Sequence, residues 1–116
     1  MSPSRSLALT DEMLHAYSRR GNFHSEPEEA SRLGLPGLVA QGMQVAGPAY
    51  GMLLETWGED FLARGAVELK FVGMVTGGET VDASVEVADD GESAEIEVTN
   101  RDAGRTAVVG SARRGI

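Results

Sequence analysis

Gly42-Met43-Gln44-Val45-Ala46-Gly47-Pro48-Ala49-Tyr50-Gly51-Met52-Leu53-Leu54-Glu55-Thr56-Trp57 carries Met43, Ala46, Tyr50, Leu53, Leu54 and Trp57 at intervals of three or four, the stripe of a helix with one broad apolar face. Its other side is hardly polar. Gly47, Ala49 and Gly51 leave little side chain there, so this helix should pack closely against other backbone and be buried on most sides. Pro48 lies past the first turn and removes one backbone hydrogen bond, so a bend or an irregular first turn is expected at that point.

Beyond Gly58 the period changes from that of a helix to that of a strand. Val67, Leu69 and Phe71 alternate with Glu68 and Lys70; Val81, Ala83, Val85 and Val87 with Asp82, Ser84 and Glu86; Ala94, Ile96 and Val98 with Glu95 and Glu97. The expected strands run from Ala66 to Val72, Thr80 to Ala88, Ala94 to Asn100 and Arg105 to Ala112. Gly77-Gly78, Asp89-Asp90-Gly91 and Asp102-Ala103-Gly104 supply three turns, which predicts an antiparallel meander of all four. Strands with one apolar face must cover it, and the long apolar helix is the partner at hand. The expectation is an α+β hot-dog domain, a sheet wrapped round a central helix, with a short fifth strand from Leu7 to Leu9 on an edge.

Towards the N-terminus, Thr10 followed by Asp11, Glu12, Met13 and Leu14 reads as a capped short helix fading towards Arg19, Arg20 and Gly21. Ser25 and Glu28 have the spacing of a capping box, Pro27 suits a first turn, and Gly34 with Pro36 stops the run, predicting a second helix from about Glu26 to Leu33.

Composition narrows the function. The 116 residues, 41% of them hydrophobic, suit one domain over residues 1–116 that closes its own core. With no cysteine there is no disulfide, thiolate nucleophile or Cys-based metal site. The net charge is −8, and nine of the eighteen acids lie between Glu79 and Asp102, so a phosphate backbone would be repelled and no nucleic-acid partner is expected. That acidic stretch reads as a solvated sheet face. No apolar run approaches the roughly 20 residues needed to cross a bilayer, and Met1 to Ser6 lacks the core of a signal peptide, so no membrane contact and a cytoplasmic location are expected.

The run Gly21-Asn22-Phe23-His24-Ser25-Glu26-Pro27-Glu28-Glu29-Ala30, followed by Gly34-Leu35-Pro36-Gly37-Leu38-Val39-Ala40-Gln41-Gly42-Met43, resembles the MaoC-like dehydratases and (R)-specific enoyl-CoA hydratases. In that family a loop of the form D-x-N-P-x-H precedes a short helix bearing an alanine and a G-x-P-x-x-x-A-H-G-M segment that opens the central helix. Leu69-Lys70-Phe71-Val72 and Gly77-Gly78-Glu79-Thr80-Val81 continue the likeness, which extends from about Thr10 to Ala112. The resemblance implies a homodimer, or a heterodimer, in which two sheets join edge to edge and the acyl chain lies between the two central helices. It also implies a thioester carried on coenzyme A or on the phosphopantetheine arm of an acyl carrier protein. No cofactor is expected beyond that carrier, which belongs to the substrate.

Interconverting a 3-hydroxyacyl and a trans-2-enoyl thioester needs a group that moves a proton at the reacting carbons and a donor that steadies charge on the thioester oxygen. His24 has the pKa range for the first task, and a place just before a Ser25 cap would hold it rigidly. Gly42 suits the second, because the first N–H groups of a helix lack partners and no side chain obstructs them. Gln41 and Met43 beside it are expected to meet substrate, as is Tyr50 through its hydroxyl. Arg19 and Arg20 could receive the carrier's phosphates, although arginines at a helix end also serve as solvated charges.

The family pattern is broken in two places. Its catalytic aspartate, five residues before the histidine, falls on Arg19, with no acid between Glu12 and Glu26; and the histidine usual before the glycine is Gln41. Asn22 can hold a water or a substrate hydroxyl beside His24 but cannot act as a base. Three readings follow: a hydratase or dehydratase resting on His24, an isomerase or thioesterase built on the same scaffold, and a non-catalytic acyl-binding subunit of a heterodimer. Of the rest, His15 reads as a surface histidine with no metal motif, Trp57 as core or tunnel lining, and Ser25 as a cap rather than a nucleophile.

Overall fold

In the computed structural model, which describes residues 4–18 and 21–115, the elements run β1 (Ser4–Leu9), α1 (Asp11–Tyr17), α2 (Pro27–Arg32), α3 (Gly42–Trp57), α4 (Glu59–Arg64), β2 (Ala66–Phe71), β3 (Glu79–Val87), β4 (Ser93–Asn100) and β5 (Arg105–Arg113). The strands form one sheet in the order β1-β3-β4-β5-β2, antiparallel at every pairing. Alternation decides which face turns inward. Val81, Ala83 and Val85 of β3 and Ala94, Ile96 and Val98 of β4 are buried, whereas Glu86, Glu95 and Glu97 stand in solvent.

Against that face lies α3, with Val45, Ala49, Met52, Leu53 and Trp57 in one core with the strands. Burying a side chain such as Leu53 contributes about 1.5–3 kcal/mol, so it is this packing rather than helix propensity that holds a segment rich in glycine as a helix. The Trp57 indole N–H donates to the Gly91 carbonyl at 3.0 Å, tying the end of α3 to the β3–β4 hairpin. A sheet wrapped round a central helix is the hot-dog arrangement expected from the sequence.

The four-strand meander is corrected. Only β3, β4 and β5 follow one another as neighbours, and β2 sits beyond β5 at the far edge. Residues 72–78 do not turn back into a hairpin; they cross beneath the sheet. The N–H groups of Val72 and Gly73 donate to the Ala107 carbonyl, Val75 is 1% exposed, and Thr76 makes a bridge with Val39. Gly77 and Gly78 still turn the chain, but at the end of β1: the Gly78 N–H donates to the Leu9 carbonyl, with φ at 91°.

Smaller differences concern the helices. The Thr10 hydroxyl caps α1 by accepting from the Met13 N–H at 3.1 Å, as its sequence implies. The capping box on Ser25 is absent: the N-cap of α2 is Glu26, without a side-chain bond, and Pro27 opens the helix. Ser25 is consumed by the preceding turn, its N–H donating to the Asn22 carbonyl at 3.1 Å and its side chain buried. Pro48 lies inside α3, which stays one helix of 16 residues, and in its first turn the Gln41 carbonyl receives the N–H groups of both Gln44 and Val45. Helix α4 escaped the periodicity because it is six residues long; Gly58 at φ 60° starts it, and the Phe61 ring packs 5.7 Å from that of Trp57.

Candidate active site

The loop between α1 and α2 is built by Asn22. Its side-chain oxygen accepts the His24 N–H at 2.9 Å, and its carbonyl accepts the N–H groups of Ser25 and Glu26 at 3.1 and 2.8 Å, so residues 22–26 form one closed turn. Because a backbone N–H can only donate, the amide oxygen faces the chain, and the amide NH2 is what Asn22 offers as a donor. Across the loop, His15 Nδ1 lies 2.8 Å from the Ser25 carbonyl and 3.8 Å from Glu26 Oε2. His15 is therefore a half-exposed clamp on the loop rather than a plain surface residue.

His24 is held from outside its own turn. Its Nδ1 lies 2.6 Å from the Val39 carbonyl, and the Val39 N–H donates back to the Phe23 carbonyl at 3.3 Å. A carbonyl oxygen has no proton to give, so Nδ1 carries the hydrogen, and in the neutral ring Nε2 is the basic nitrogen. The Phe23 ring, 4.1 Å away between centroids, limits rotation of the imidazole. Among the described residues the ring's partner is thus a backbone carbonyl and not a carboxylate, in keeping with the missing aspartate.

Three residues after Val39 comes Gly42, the first residue of α3. Gln41, its N-cap, has extended backbone and makes no side-chain cap bond, so no N-cap side chain takes up the first N–H groups of the helix. A Cβ on Gly42 would lie 2.7 Å from the ring of Phe71, which closes over this point from the end of β2. A side chain there would have to displace that half-exposed ring.

The structure thus ties the loop of Asn22 and His24 to Val39, from which the same backbone runs on through Gln41, Gly42 and Met43 into α3. Tyr50 lies two turns further along α3, about 12 Å by helix rise. It lines a groove of about 330 Å³ with Leu54, Phe61, Leu62, Gly65 and Val67. Trp57 is core. Arg19 and Arg20 lie outside the described residues. Sequence reasoning missed the Val39 carbonyl, since a backbone acceptor 15 residues from the histidine leaves no signal in side-chain identity.

With this geometry in place, comparison with known families is decisive: the model of the MaoC like domain matches residues 3–108. The chain belongs to the MaoC-like domain family. No curated protein matches it. Among solved structures, this MaoC-like domain is similar to the (R)-hydratase from A. caviae involved in PHA biosynthesis, at 20% identity and a TM-score of 0.75, covering 97% of this chain and 91% of that one. It is also similar to R-hydratase PhaJ1 from Pseudomonas aeruginosa, at 15% identity and a TM-score of 0.76, covering 97% and 77%. A third likeness is to the HadBC (3R-hydroxyacyl-ACP dehydratase) complex from Mycobacterium tuberculosis, at 18% identity and a TM-score of 0.66, covering 93% and 88%. At these identities the structures show the shared fold, that of MaoC-like hydratases and dehydratases. Among the described residues of the MaoC-like domain, no helix is long and apolar enough to cross a membrane.

Proposed function

We propose that this MaoC-like domain interconverts 3-hydroxyacyl and trans-2-enoyl thioesters, on coenzyme A or an acyl carrier protein, with His24 as the proton-transfer group and the Gly42 N–H as donor to the thioester oxygen. The observation that carries the reading is the His24–Val39 bond, which fixes the ring and leaves Nε2 as its basic nitrogen. In hydration, Nε2 takes a proton from water as the oxygen adds to C3. The electron pair of the double bond moves towards the thioester carbonyl, whose oxygen gains charge beside the Gly42 N–H, and the proton on Nε2 then passes to C2. Dehydration runs the same steps backwards: Nε2 removes the C2 proton and returns it to the C3 hydroxyl, which leaves as water. One group performs both transfers, and Asn22 orients the loop that carries it. No cofactor enters beyond the carrier.

The assembly is a dimer on this reading. Among the described residues strand β2 is paired on one side only, by β5, and Leu54, Leu62, Phe71 and Val72 are exposed along α3, α4 and the end of β2. An open strand edge beside apolar side chains is a surface that proteins normally cover. Because Phe71 also closes over Gly42, the seam and the thioester site adjoin.

A second reading is kept alive by one observation: His24 is held by a carbonyl and position 19 is an arginine. On that reading the chain is the acyl-binding member of a heterodimer, and the dehydratase HadBC, which shares its fold, is itself a complex. Turnover of trans-2-enoyl and 3-hydroxyacyl thioesters, on both carriers, by the purified protein and by His24→Ala separates the two. Loss or formation of the enoyl absorbance that vanishes in the variant supports the enzyme; a folded wild type with no turnover favours the binding subunit.

A further inference from the structure

We propose that Glu79 is a positioning residue for His24 and Gly42, acting through the crossover segment 74–77 and the strip 38–42. The inference rests on the functional reading above and extends it to a residue that touches neither group.

The contacts form a continuous path. Glu79 Oε1 accepts the Thr76 N–H and the Thr76 hydroxyl, each at 2.7 Å, and the Asn100 amide at 3.2 Å. Asn100, 0% exposed, also donates to the Met74 carbonyl at 3.3 Å and accepts the Ala103 N–H at 3.1 Å, so the crossover is pinned to the closed end of β4. From that pinned segment, the Val75 carbonyl accepts the Ala40 N–H at 2.8 Å and the Gly77 N–H donates to the Leu38 carbonyl at 2.9 Å, around the Val39–Thr76 bridge. Val39 then holds the His24 ring, and three residues on the same backbone becomes the first turn of α3.

Both proposed catalytic groups therefore take their positions from one short strip of backbone. That strip has no regular strand behind it: its bridge to Thr76 is isolated, outside the named strands. An isolated bridge is weak unless its far side is held, and a carboxylate accepting three donors holds far better than a neutral group. Burial pushes the Glu79 carboxyl up, but the Thr76 and Asn100 bonds and the Arg105 charge outweigh it, so the group lies below the usual carboxylate range and is ionised at neutral pH.

The test reads the His24 ring directly. The chain has two histidines, so nitrogen-15 ring resonances are assigned by comparison with His15→Gln. The wild type should show a protected Nδ1–H and an unprotonated Nε2. In Glu79→Ala the Nδ1–H should exchange fast and both tautomers should appear, while Glu79→Gln, which keeps one acceptor oxygen, should restore the wild-type pattern. With substrate, kcat of Glu79→Ala should fall about ten- to a hundredfold with KM within about twofold, the signature of misplaced rather than missing groups. If Glu79→Ala does not fold, Thr76→Val removes one donor and is read in the same way. Ring signals unchanged in a folded Glu79→Ala would overturn the proposal. Because those signals are recorded without substrate, a wild type that turns over no thioester would overturn the functional reading and leave the role of Glu79 to the spectra.

Discussion

The imidazole Nδ1 of His24 and the carbonyl oxygen of Val39 lie 2.6 Å apart, and this bond between a loop and the strip leading into α3 decides which ring nitrogen can move a proton. Replacement of His24 by alanine should leave the fold intact, since the residue is only half-buried and outside the core. It should lower turnover of an enoyl or 3-hydroxyacyl thioester by about 10²–10⁴-fold, the usual worth of a positioned acid–base group. Steady-state rates with matched circular dichroism check both halves. Val39 cannot be tested in the same way, because its contribution is backbone.

Gly42→Ala should be costly for a reason that can be removed. The new Cβ would meet the Phe71 ring at 2.7 Å, and overpacking of this kind costs about 1–3 kcal/mol. Phe71 is half-exposed, so Phe71→Ala should relieve most of that cost. Denaturant unfolding of the two single variants and the double variant measures the coupling; additive losses would mean that the ring swings aside unaided.

Asp82 should titrate at about 2, against an ordinary value of 3.8, because Arg101 donates two hydrogen bonds to it, at 2.6 and 2.9 Å, and Ser6 another. A folded-state value below the unfolded one means that the contact adds stability at neutral pH and loses it as pH falls from about 4 through 2. Side-chain carboxyl titration by NMR should show Asp82 moving up towards its ordinary value in Arg101→Gln, with the Ser6 bond still holding it below that value. Both side chains are partly exposed, so added salt should shrink the effect.

Leu62 is 76% exposed and Val72 57%, an exposure better suited to an interface than to water. Leu62→Lys with Val72→Lys should convert a dimer into a monomer in sedimentation velocity while leaving the circular dichroism unchanged. A wild type that sediments as a monomer at the same concentration would refute the proposed seam.

What the sequence determined by itself is local. The helix over Gly42–Trp57, the alternation in β3 and β4, the Thr10 cap and the turns at Gly91 and Gly104 depend on residues a few positions apart, and periodicity or turn chemistry reports them, although the buried face of α3 runs through Val45, Ala49, Met52 and Leu53 and leaves Met43 and Leu54 of the expected stripe exposed. The family motif placed Asn22, His24 and Gly42 together as candidates because that segment is nearly continuous in the chain. Tertiary structure decided the rest. Whether β2 pairs with β3 or with β5 depends on where a buried Val75 can go, and alternation within β2 is the same either way. Ser25 has the composition of a cap, but α2 opens one residue too late for it, with Glu26 at the N-cap and Pro27 first in the helix. The tautomer of His24 is set by a carbonyl 15 residues away, and the bond by which Glu79 holds Asn100 spans 21 residues. Backbone acceptors look alike at every position in a sequence, so only the fold can say which of them a side chain meets.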